Sequence, residues 1–147
     1  MSIAERSAQT VWTGPLASGA GKINVAGSPL DGAGVSWAAR TGHAEGRTNP
    51  EQLLAAAHSS CFSMALALRL GERHVTPERL QVEATVTLDE VDDRPTITSS
   101  RLIIRARIPG LDNETFHTAV DEAAELCPVS RLFAGARISV DALLEPQ

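Results

Sequence analysis

A chain of 147 residues with 13 basic and 18 acidic side chains carries a formal charge of −5, which argues against a basic face for nucleic acid. That length suits one domain, residues 1–147, with a substantial core. Two cysteines do not make a disulfide framework; they read either as inert buried thiols or as a redox pair.

The opening MSIAERSAQT holds charged residues and no apolar run, so no signal peptide is expected and the cytoplasm is the expected compartment. Residues 8–41 read as a strand meander. Thr10-Val11-Trp12, Lys22-Ile23-Asn24-Val25 and Val35-Ser36-Trp37-Ala38 are β-prone, and the Gly- and Pro-rich GPLASGAG and GSPLDGAG separate them. These strands have few large apolar residues and could hardly stand as a sheet alone. A second copy of the chain is the economical partner.

The loop TGHAEGRT leads into residues 49–71, NPEQLLAAAHSSCFSMALALRLG, around which the chain is organised. Asn49 suits a helix N-cap, Pro50 the first helical position, and Glu51 the positive end of the helix dipole. Gly71 suits the left-handed residue that ends many helices. In between, the sequence is apolar on almost every side, the mark of a buried helix. The most membrane-like part, residues 53–68, is interrupted by His58 and three serines and falls short of the roughly 20 apolar residues of a membrane span, so no membrane association is expected. Cys61 stands at its middle.

Beyond the polar link GERHVTPER, Leu80, Val82, Ala84, Val86 and Leu88 alternate with polar residues as one strand. Asp92-Asp93-Arg94-Pro95 turns the chain into a second, in which Leu102, Ile104, Ala106 and Ile108 share a face. Ile97 is out of phase with them and implies a bulge between 97 and 102. Pro109-Gly110 breaks that strand, and Asp112 caps a helix whose stripe of Phe116, Ala119, Val120 and Ala123 ends at Cys127. Pro128 stops or restarts the helix, PVSRLF continues it, and ARISVDALL closes the chain as a strand. The order β-β-β-α-β-β-α-α-β is an α+β fold, with antiparallel sheets expected from its hairpins.

Taken singly, most candidate residues have a plain reading. The cysteines suit core positions, Glu51 a helix-start acid, and Arg40, Arg47, Arg73 and Arg131 surface charge. His58, one turn before Cys61, suits a core histidine bonded to a backbone carbonyl better than a general base. His43, His74 and His117 carry no signal. No cofactor is implied, and no CxxC or HxxxH pairing suggests a metal. What favours chemistry is position: Pro128 puts the Cys127 sulfur where a helix stops.

Together, TNPEQLLAAAHSSCFSMAL, the strand ending LDEV, PGLD with its following Phe, and CPVSRLF resemble the OsmC/Ohr family, and its OsmC branch in particular, over nearly the whole chain. The resemblance implies an intertwined homodimer with sheets around a buried central helix. It implies a thiol peroxidase acting on organic hydroperoxides, less well on hydrogen peroxide, in oxidative or osmotic stress defence. Dihydrolipoamide or a lipoylated protein would re-reduce its disulfide. The reactive cysteine falls on Cys61, the resolving cysteine on Cys127 and the family's glutamate on Glu51. Its arginine falls on Arg40, in GVSWAART, with Arg47 as the rival. The Ohr branch takes its arginine from the first hairpin loop, which here has none.

The chemistry suits these residues. A free thiol is mostly protonated at neutral pH and burial makes that worse, so a guanidinium beside the sulfur is needed, with a carboxylate to hold it. A straight helix separates Glu51 from Cys61 by about 15 Å, at roughly 1.5 Å per residue. Glu51 is therefore expected to serve Cys61 of a second subunit. The competing readings are a carrier of a small hydrophobic ligand in the dimer cavity, with both cysteines as core, and a thiol redox sensor.

Overall fold

The computed structural model describes residues 1–43 and 46–146, in two compact units, Met1–Leu53 and Leu54–Gln147. Of the expected loop TGHAEGRT, Ala44 and Glu45 lie outside the described residues.

The first unit holds β1 (Gln9–Thr13), β2 (Ala20–Asn24), β3 (Gly34–Val35), α1 (Trp37–Thr41) and β4 (Arg47–Thr48). Its sheet runs β1-β2-β3-β4, antiparallel except for the β3–β4 pair, which is parallel. Gly21 lets the sheet close up: a Cβ there would lie 2.6 Å from Val35 Cγ2 and 3.1 Å from the Thr10 and Trp12 side chains. Every residue of β1 is exposed, with Val11 at 54% and Trp12 at 40%.

The third strand is shorter than its composition suggests. It stops at Val35 because the Ser36 hydroxyl accepts a hydrogen bond from Ala39 N–H at 3.1 Å and caps α1. Ala38, Ala39 and Arg40 are good helix formers, so the cap outweighs the β-preference of Val35 and Trp37.

Helix α2 (Pro50–Glu72) is one unbroken helix of 23 residues. Asn49 caps it: its Oδ1 accepts from Gln52 N–H at 2.8 Å, while its Nδ2 donates to the Ala39 carbonyl at 2.7 Å. The C-terminus corrects the expectation for Gly71, which stays helical. The left-handed residue is His74, at φ 58°. His74 N–H bonds the Gly71 carbonyl and Val75 N–H the Leu70 carbonyl, the paired bonds of a Schellman cap. Val75 packs on the core that contains Leu70, which supplies the apolar contact such caps use.

The second unit is built on β5 (Arg79–Val91), β6 (Arg94–Arg107) and β7 (Arg137–Leu144), in the order β5-β6-β7. Strands β5 and β6 form an antiparallel hairpin whose two loop residues, Asp92 and Asp93, both have positive φ (52° and 58°). That is the geometry of a two-residue type I′ turn, which aspartate tolerates. The expected bulge is present: Thr87 pairs with Ser99 and Leu88 with Ile97, leaving Thr98 as the extra residue. The β6–β7 pair is parallel, because the chain crosses back through α3 (Asn113–Leu126) and α4 (Pro128–Leu132) rather than by a hairpin. Both sheets are thus mixed.

Leu102, Ile104, Ala106 and Ile108 form the floor of the core, Phe116, Ala119, Val120 and Ala123 of α3 cover it, and Phe62, Leu66 and Leu70 enter from α2. Helix α2 is long and apolar enough by length and composition alone to cross a membrane. Phe62, Leu66 and Leu70, at 0% exposure, commit one face of it to the protein interior. In a single chain, Ala57, Ser60, Met64, Ala67 and Leu68 make a second face that is exposed, Met64 at 72%. The composition specifies two apolar faces, and one chain covers only one of them.

Candidate active site

Two constellations hold the residues singled out by sequence, one in each unit. In the first, Arg40 stands in the last turn of α1 and Glu51 in the first turn of α2. Arg40 Nε donates to both carboxylate oxygens at 3.1 Å, and its Nη2 donates to Oε1 at 2.7 Å. The fork holds the guanidinium in one plane, and its carbon lies 6.0 Å from the centre of the Trp37 ring. The Glu51 side chain is 12% exposed and that of Arg40 29%, so the pair is partly removed from water. Asn49 caps the end of α2 that carries Glu51, and Arg40 stands at the end of α1 opposite its Ser36 cap. Arg47, the rival, is an exposed residue of β4 paired in register with Gly34.

In the second unit, Cys61 is half-buried on α2, and Cys127 is fully buried at the junction of α3 and α4. Cys127 ends one helix and begins the next: its N–H bonds the Ala123 carbonyl, and its carbonyl accepts from Arg131 N–H at 3.2 Å. Pro128 occupies the first position of α4, where no N–H is needed. The N–H groups that follow it have no partner inside the helix. One of them, on Val129, bears on the Cys61 sulfur. Burial raises the Cys61 thiol above its ordinary pKa, the Val129 backbone hydrogen bond lowers it, and hydrogen bonding and charge from the Cys127 side chain raise it. Both cysteines are free, and their side chains are neighbours.

The other residues have structural settings. Arg73 pairs with Glu122 of α3 at 2.8 Å, Arg131 is exposed in the last turn of α4, and His117 packs 5.4 Å from Phe116. His43 is exposed. His58 is buried, as expected of a core histidine, but its partners are not backbone carbonyls. Nδ1 lies 2.6 Å from Ser100 Oγ and Nε2 2.8 Å from Ser130 Oγ, with the Phe133 ring 5.1 Å away. Burial holds its pKa below the ordinary 6.5. Sequence reasoning gave no role to Ser100 or Ser130. A signal existed for Ser100, a hydroxyl in phase with Leu102, Ile104 and Ala106 on the face turned to the core. Among the described residues no three His, Cys, Asp or Glu side chains converge as a metal site.

Known proteins resemble this chain in sequence and in fold. Peroxiredoxin OsmC of Escherichia coli strain K12 is 37% identical over 136 residues, which cover 92% of this chain and 94% of that protein. The organic hydroperoxide resistance protein of Xanthomonas axonopodis pv. citri is 30% identical over 89 residues, 60% of this chain and 61% of its own. Among solved structures, the organic hydroperoxide resistance protein OhrB of Bacillus subtilis superposes with a TM-score of 0.69 at 28% identity, covering 95% of this chain and 98% of that one. An OsmC-like protein from Vibrio cholerae shares the fold with a TM-score of 0.79 at 16% identity, covering 96% and 100%. The family model described as OsmC-like protein matches residues 42–142, beginning in the first unit and ending in the second. On that match and the near full-length likeness to the E. coli protein, the chain belongs to the OsmC family.

Proposed function

We propose that this protein is a thiol peroxidase that reduces organic hydroperoxides, with Cys61 as the peroxidatic and Cys127 as the resolving residue. The observation that carries the reading is the meeting of two free cysteines, one half-buried on α2 and the other at a helix junction. The name of the E. coli relative supports peroxidase chemistry, and that of the Xanthomonas relative supports organic hydroperoxides as the substrate class. The Cys61 thiolate attacks one peroxide oxygen, the O–O bond breaks, and the alkoxide leaves as an alcohol after taking up a proton. The sulfur, oxidised by two electrons, is then a sulfenic acid. The Cys127 thiol displaces its hydroxyl as water and forms the disulfide. A dihydrolipoyl group, the reductant implied by the family resemblance, returns both thiols and becomes the cyclic disulfide.

Because burial raises the Cys61 pKa, a cation must offset it, and Arg40, held by Glu51, is the one we assign. An unbroken α2 sets Glu51 about 15 Å from Cys61 at roughly 1.5 Å per residue. On this reading the Arg40–Glu51 pair serves Cys61 of the partner subunit. The exposed face of α2 and the exposed β1 support a homodimer, in which the whole chain acts as one family module in the cytoplasm. Titrating thiols before and after one equivalent of cumene hydroperoxide tests the function. Rapid loss of both thiols per chain is expected, whereas unchanged thiols would favour a carrier with both cysteines as core.

A further inference from the structure

His58 is a buried titratable side chain with no part in the chemistry above, and its contacts are specific. Its ring bridges three elements of the second unit: α2, which also carries Cys61; β6, through Ser100; and α4, through Ser130. All three side chains are buried, His58 and Ser100 at 0% exposure and Ser130 at 8%. A neutral imidazole has one N–H and one bare nitrogen. One serine accepts from the ring and the other donates to it, so both ring nitrogens are satisfied without a charge. Ser130 lies in the first turn of the short helix that Cys127 caps, and Phe133, just beyond that helix, packs on the same ring. Cys127 has no side-chain cap bond of its own to hold the junction.

We propose that His58 is a positioning residue for disulfide formation: through Ser130 it anchors the start of α4 to α2, and so keeps the Cys127 sulfur within reach of Cys61. The inference rests on the peroxidase reading and adds to it what holds the resolving cysteine. Cys61 need not move for the first oxidation, so the anchor matters for the second step. There the Cys127 sulfur must approach the sulfenic acid in line as water leaves, and small misplacements of reacting atoms are costly.

The test follows two rates in the intact protein after one equivalent of cumene hydroperoxide. The first is appearance of dimedone-reactive sulfenic acid on Cys61, and the second its conversion to the disulfide. Ser130→Ala is expected to slow the second step by about tenfold or more, the scale of one lost buried hydrogen bond, with much less effect on the first. Ser130→Thr, which keeps the hydroxyl, should recover most of the loss. Two amides separate positioning from mere folding. His58→Gln places its amide near the former Nε2 and retains Ser130, whereas His58→Asn reaches only toward Ser100. Both bury an amide of similar cost, so a purely structural role makes them equal. The proposal requires resolution to be several-fold slower in His58→Asn, and this pair decides the matter should Ser130→Ala fail to fold. Wild-type resolution in Ser130→Ala, or equal slowing by the two amides, overturns it. If the wild-type protein loses no thiol at all, the peroxidase reading fails and takes this inference with it.

Discussion

The two units divide the labour unequally. Leu54–Gln147 contains the large apolar core, with Phe62, Leu66, Leu102, Ile104 and Phe116 at 0% exposure, and both cysteines lie against it. Met1–Leu53 has a four-stranded sheet with β1 wholly exposed, and its most specific side-chain contact is polar: Arg40 in the last turn of α1 forked onto Glu51 in the capped first turn of α2. One unit supplies packing and sulfur, the other a fixed cation. A buried thiol resists ionisation and a guanidinium does not. The lesson is that stability and reactivity are specified by different stretches of this chain and should respond to different substitutions.

The largest expected effect is on the sulfur chemistry. Cys61→Ser should reduce peroxide consumption to the uncatalysed background. Cys127→Ser should still consume one equivalent, leave a sulfenic acid that dimedone traps, and overoxidise in excess peroxide. Dimedone on Cys127 of an active Cys61→Ser protein, seen by mass spectrometry, would reverse the roles.

Packing gives the next contrast. Phe116→Ala, in the middle of the core, should lower stability in urea by about 3–5 kcal/mol. Met64→Lys touches no core residue of its own chain's covered face, since Met64 is 72% exposed. It should instead weaken self-association by tenfold or more, about 1.4 kcal/mol, as read by sedimentation at decreasing concentration. Unchanged association would remove the exposed face of α2 from the dimer contact.

Smaller effects sharpen the electrostatic side. Arg40→Met should raise the Cys61 pKa by about one unit or more, roughly 1.4 kcal/mol per unit, in the pH profile of alkylation. Arg47→Met should leave the profile in place, and the opposite pattern would assign the cation to Arg47. For His58, burial depresses the folded-state pKa, so below about pH 6.5 the unfolded chain binds a proton that the folded chain refuses. Its contribution to stability is present above that pH and declines as pH falls, by up to about 1.4 kcal/mol per pH unit. His58→Gln should remove this slope from the urea midpoints measured between pH 5 and 7.

Much of this contrast was legible in the sequence, for reasons particular residues show. The floor of the core could be read because Leu102, Ile104, Ala106 and Ile108 recur at every second position, and the Thr98 bulge because Ile97 is out of phase with them. The Cys127 junction could be read because a proline follows the last apolar position of α3. Helix α1 was hidden by local competition: Val35 and Trp37 favour a strand, and one serine hydroxyl tips the balance. Gly71 looked like a helix stop, but the Schellman bonds form around His74, since Val75 is the residue able to pack on the core. The parallel β6–β7 pair depends on the path of α3 and α4, which periodicity does not encode. The partners of His58 come from distant strand and helix positions, and no local signal joins them.

The central claim is that the cation of one chain serves the thiol of another, and mixing tests it most directly. A Glu51→Ala chain and a Cys61→Ser chain, each inactive or nearly so, are co-expressed and the heterodimers isolated. If sites are shared, one of the two sites in each heterodimer pairs an intact Cys61 with the intact Arg40–Glu51 pair of the partner subunit. About half the sites of the mixed dimers then reduce cumene hydroperoxide. If each site is built within one chain, every site lacks one group, and verified heterodimers without activity would contradict the account.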